Sequence, residues 1–144
     1  MAIIEAGVVF SGIPIVKVRY YKESSKHDKL LTPGLLEAIQ TFAFEIFEDE
    51  TESFKMTRFT IYLHKAILKN SQAVTIYAIC DSNNHSTTIR EKIRDIARKF
   101  VKQFPDVNVG FLDAYRNFEQ VITSTFGDLI FHPEDRLRSI FSTE

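Results

Sequence analysis

The sequence predicts an α+β domain in which helices layer an antiparallel sheet, and three observations predict it. Two short β-rich stretches with a turn between them open the chain. A long stripe of apolar residues at helical spacing then separates them from a second β-rich region. Two further helix-spaced stripes follow, so the order reads ββ-α-βββ-α-α, with one short helix at the C-terminus. Most connections in that order are hairpins or pass over helices, and an antiparallel sheet is the natural way to close it.

Ile3 to Ser11 is apolar and β-rich, Gly12-Ile13-Pro14 supplies turn chemistry, and Ile15 to Tyr21 alternates between two faces. The clean alternation of this second stretch suggests one wet face and a place at the sheet edge. Lys22 to Leu31 shows no periodicity and reads as a loop. Thr32-Pro33 is a helix start, a hydroxyl N-cap followed by proline where its missing N–H costs nothing. Leu35, Leu36, Ile39, Phe42, Ala43, Ile46 and Phe47 then share one stripe, and the acids Glu48, Asp49, Glu50 and Glu52 oppose the macrodipole and end the helix.

Phe54 to Arg58 is a short candidate strand, and Phe59 to Leu68 alternates as a second. Lys69-Asn70-Ser71 turns the chain into Ala73 to Cys80, whose nearly continuous apolar character predicts a central strand buried on both faces. Thr88 with Glu91 makes a capping box for a helix with a core stripe of Ile89, Ile93, Ile96, Ala97, Phe100 and Phe104. Pro105 ends it, because the residue before a proline is pushed out of the helical region. A third helix is expected from Leu112 to Phe126, with Gly127 as its C-cap. Pro133 to Phe141 reads as a small amphipathic helix in an extension over 128–144, the domain proper covering 1–127.

The bulk numbers suit this reading. A chain of 144 residues can bury a core as one domain without metal or disulfide support. A formal net charge of −1 gives no global attraction to nucleic acid, and none is expected as a partner. Cys80 is the single cysteine, which favours a reducing compartment. The first residues have no basic leader, and no apolar run reaches the roughly 20 residues of a membrane span. A soluble, cytoplasmic protein is expected.

The stretch Phe59-Thr-Ile-Tyr-Leu-His64, the turn, Ala73-Val-Thr-Ile-Tyr-Ala-Ile-Cys-Asp81, the spaced Ile89, Ile96, Phe100 and Phe104, and Tyr115-Arg-Asn-Phe-Glu-Gln-Val-Ile122 together resemble the longin domains of vesicle-trafficking proteins. Roadblock domains are a sister group of similar pattern. The resemblance covers roughly residues 3 to 126 and implies a longin-like (profilin-like) five-stranded sheet of order 2-1-5-4-3, one helix on one face and two on the other. It implies adaptor or regulatory work with a protein partner such as a small GTPase, as a homo- or heterodimer. No heptad run or membrane anchor follows Phe126, so a fusion protein of the SNARE type is not expected. A roadblock-like GTPase-regulator subunit and a small-molecule sensor of the PAS or profilin-like type are the alternatives.

No phosphate loop, dinucleotide fingerprint, HExxH or GxSxG is present. His27, His64, His85 and His132 are scattered, with no cysteine or carboxylate at ligand spacing. Asp81 and His85 share a connector that is polar because it is wet, and Cys80 on a buried strand reads as an inert core thiol. No catalytic residue, metal or cofactor is expected. Two features stand out. Arg90, Arg94, Arg98 and Lys102 follow one another at i+4, where like charges repel by about 0.2–0.5 kcal/mol a pair. Such a row is either a solvated face or a docking strip for phosphates, the lipid headgroups of a membrane surface, or an acidic partner. Phe44 lies on the polar side of the first expected helix among Glu37, Gln40, Thr41 and Glu48. It marks a partner or self-association surface with Glu37, Thr41 and the nearby strand residues Phe54 and Met56.

Overall fold

The computed structural model describes residues 3–20, 41, 51–55, 59–81 and 87–130. The first helix except Thr41, the loop at 22–31, the residues Glu37, Phe44, Met56 and His85, and the turn at Pro133 to Phe141 lie outside the described residues. Five strands, β1 (Ile3–Phe10), β2 (Ile13–Arg19), β3 (Thr51–Lys55), β4 (Thr60–Ile67) and β5 (Ala73–Cys80), form one antiparallel sheet of order β2-β1-β5-β4-β3. β5 takes the centre because its run from Val74 to Cys80 is buried throughout. β2, buried only at Ile15 and Val16, lies at an edge as expected.

Two strands start two or three residues earlier than expected, each for a tertiary reason. The β1–β2 turn is Ser11-Gly12 alone, with φ of 49° and 79°. Two central residues at positive φ match the right-handed twist of a hairpin, which frees Ile13 and Pro14 to enter β2. Pro14 is tolerated there because β2 is an edge strand with an irregularity opposite Val8/Val9. β3 starts at Thr51, three residues before Phe54, and takes in Glu52, which had been counted among the acids ending the first helix. Pairing supplies the reason, since Thr51 lies opposite His64 and its hydroxyl is 2.9 Å from His64 Nδ1.

Helix α1 (Thr87–Gln103) buries Ile89, Ile93, Ile96, Ala97 and Phe100, the stripe its spacing predicts. Thr88 is already inside the helix, so it is not the N-cap of the expected box. The third helix is divided. A 3-10 segment (Val109–Tyr115) precedes α2 (Phe118–Phe126), and Phe111 within that segment has non-helical φ and ψ of −130° and 56°. Tyr115 explains the break: its hydroxyl accepts from Asn108 N at 2.8 Å, and its ring lies 4.8 Å from that of Phe104. Leu112, placed on the apolar stripe by spacing, is instead 41% exposed. Gly127 caps α2 at φ 56°, and a final 3-10 turn (Gly127–Ile130) returns Ile130 to the core.

α1 and α2 share one apolar cluster with the sheet residues Val8, Tyr62, Ile76 and Ala78. On the opposite face Val9, Ile61, Leu63, Tyr77 and Ile79 form a second, with Phe54 and Phe59 packed against it. Gly7 is required beside them, since a Cβ there would come within 2.9 Å of the Tyr77 ring. The single helix expected over this face lies outside the described residues.

Candidate anion-binding groove

The basic row on α1 divides into one cation held by the sheet and three that face a groove. Arg90 sits 5.7 Å above the Tyr62 ring, donates from Nη2 to Ser53 Oγ at 2.9 Å and from Nη1 to the Thr51 carbonyl. It therefore ties α1 to β3. At the other end Asn70 N donates to the Pro105 carbonyl at 3.3 Å, so α1 runs in the same direction as β4.

Between these two ties lies a groove of about 630 Å³. Arg94, Arg98 and Lys102 form one wall, and Lys69, just after β4, stands at the Lys102 end. Ala66, Ile67, Ala97 and Val101 give it an apolar lining, and His64 closes the Arg94 end. Ala66 and Ala97 are buried, which makes them the base. No carboxylate lines this groove among the described residues. Asp95 lies 3.2 Å from Lys99 and 3.9 Å from Arg98, so its closer partner points away from the groove. Exposed pairs of this kind neutralise little. A shallower hollow between α1 and α2, lined by Lys99, Lys102, Gln103, Val121 and Ser124, shares Lys102 with it.

The four cations with a small apolar base can hold a ligand that carries several negative charges on a slim, partly apolar frame. Arginine suits carboxylates and phosphates alike because its fork donates two parallel hydrogen bonds. The thiol of Cys80 is wholly buried, and burial followed by the charge of Asp81 pushes it up to about 12, so it stays protonated. Among the described residues no group of three or more His, Cys, Asp or Glu could hold a metal ion. No described helix is long and apolar enough to cross a membrane.

The structure brings Arg94, Arg98 and Lys102 to one site and engages Arg90 elsewhere. Phe54 is half-buried against the second apolar cluster, and Thr41 is helical and exposed. Lys69 is the groove residue that sequence reading passed over. It looked like turn chemistry, and nothing in its neighbours announces that the turn after β4 stands beside the end of α1. Sequence reading also missed the buried set on the other face. Glu5 accepts from Arg19 Nε at 3.0 Å and from the Tyr77 hydroxyl at 2.9 Å. An acid in an otherwise apolar strand was its signal. Burial, then the Glu5 charge beside it, raises the Tyr77 phenol well above its ordinary range.

No protein-family model matches this chain, and no curated protein matches it in sequence.

Proposed function

We propose that this chain is a non-enzymatic adaptor or regulatory domain that docks a protein partner through the groove between α1 and β4. One observation carries the reading: Arg94, Arg98, Lys102 and Lys69 surround one concavity whose described lining holds no acid. Concave sites with an apolar base and few convergent polar groups are where proteins hold ligands. Charge of one sign focused in a cleft also speeds encounter with an oppositely charged partner. A small GTPase or another trafficking-type protein is the partner class in keeping with the longin-like pattern of the sequence. The fold alone does not select it, since one fold hosts many functions. Pairing into a homo- or heterodimer through the side of the first helix that carries Phe44, Glu37 and Thr41, with Phe54 and Met56 beside it, is proposed on the sequence.

Charge reversal tests the docking reading. Changing Arg94→Glu and Arg98→Glu together should abolish capture of the partner from the native source while leaving the melting temperature of the domain unchanged. Capture by the unaltered domain should weaken steeply with added salt, because exposed charges are screened beyond about 10 Å at 0.1 M and about 3 Å at 1 M. Capture that ignores both the reversal and the salt refutes the groove as the docking surface.

A further inference from the structure

We infer that the groove takes an extended acidic segment of polypeptide, with carboxylates at alternate residues facing α1 and small apolar side chains turned toward Ala66 and Ile67. This rests on the docking reading above and names the chemistry of its occupant. The first argument is spacing. Arg94, Arg98 and Lys102 stand four residues apart on one helix, so successive cations are separated by about 6 Å along the axis. In an extended chain, residues i and i+2 point the same way and lie about 6.6 Å apart. Three alternate acids therefore meet the three cations almost in register.

The second argument is polarity along the groove. Lys69 and Lys102 stand together at one end, and buried His64, engaged with Thr51, closes the other. The most acidic end of the occupant thus belongs at the two lysines. Finally, the apolar lining of Ala66, Ile67, Ala97 and Val101 offers nothing to a compact polyphosphate. It does offer apolar surface to the side chains between the acids.

Two synthetic heptapeptides of identical composition test this. One alternates glutamate and valine with glutamate at both ends; the other gathers its glutamates in one block. Binding is read by fluorescence anisotropy to the whole chain and to the Arg94→Glu/Arg98→Glu variant, with tripolyphosphate and phosphoinositide vesicles assayed alongside. The alternating peptide should bind at least about tenfold more tightly than the block isomer, a factor that marks a clear free-energy difference. The double variant should lose that preference with its thermal transition unmoved. If the block isomer, tripolyphosphate or the vesicles bind as well as the alternating peptide, and the double variant loses all of them, the groove is a docking site but its occupant is not an extended acidic strand. If no anion distinguishes the variant from the unaltered chain, both this inference and the docking reading fall.

Discussion

On one side of the sheet, the Glu5 carboxylate is satisfied by Arg19 and by the Tyr77 hydroxyl; on the other, Arg94, Arg98 and Lys102 line a groove that offers them no described carboxylate. The first set lies in a protein interior, with Glu5 3% exposed and the Arg19 side chain 24% exposed. A carboxylate taken from water must find donors, or it costs several kcal/mol. The second set keeps its water and so carries no such demand. Arg90 shows the border between the two regimes, because it belongs to the same helical row yet spends its donors on Thr51 and Ser53. Charge in this domain is structural where burial forces it to be satisfied and available where water supports it.

Breaking the buried set should give the largest effect. Glu5→Ala removes the carboxylate that accepts from Arg19 Nε and from the Tyr77 hydroxyl. Losing one partner of a buried pair costs about 3–5 kcal/mol, and the partial exposure of Arg19 places this change near about 3 kcal/mol. Urea denaturation should show that drop in midpoint, while Arg94→Ala leaves the midpoint in place. Equal midpoints for the two variants would erase the contrast.

The alkaline limb of stability sharpens it next. The Tyr77 phenol and the Cys80 thiol both have folded-state values raised above their ordinary 10.0 and 9.0, the thiol to about 12. The folded chain thus favours the protonated forms, and the unfolded chain ionises first. Their contribution is complete below about pH 9 and drains away as pH rises from 9 toward 12. Cys80→Ala should flatten the fall that starts at pH 9. Tyr77→Phe should flatten the part that starts near 10. A slope unchanged in both variants would mean that other groups govern the alkaline limb.

Smallest is the effect of Arg90→Ala. Its loss should loosen β3 by about 1 kcal/mol, the worth of a typical hydrogen bond. Amide exchange should quicken at Ser53 and Phe54 before anywhere in β5. Exchange that is uniform across the sheet would show that Arg90 belongs with the open cations.

Much of the fold was legible because it depends on local period. The run from Val74 to Cys80 and the stripe from Ile89 to Phe100 are buried as their spacing predicts. Gly127 was readable as a cap since a residue at φ 56° calls for glycine. The misread places are those where a distant residue outvotes a local signal. Pro14 looked like turn chemistry until the edge position of β2 made room for it in a strand. Leu112 fitted a helical stripe, but Tyr115, docked on Phe100 and Phe104, breaks that helix and leaves Leu112 in water. Glu52 looked like part of an acidic helix end, and the pairing of Thr51 with His64 puts it in a strand.

The site divides along the same line. A cationic row on one helix is written in the sequence, because four-residue spacing alone aligns Arg90, Arg94, Arg98 and Lys102. Which of those cations faces a groove is decided by what stands opposite each. Ser53 and the Thr51 carbonyl come from a strand more than thirty residues away and claim Arg90. Lys69 comes from the turn after β4 and completes the other end. Spacing along a chain sets direction within one element, and only packing between elements sets what that direction meets.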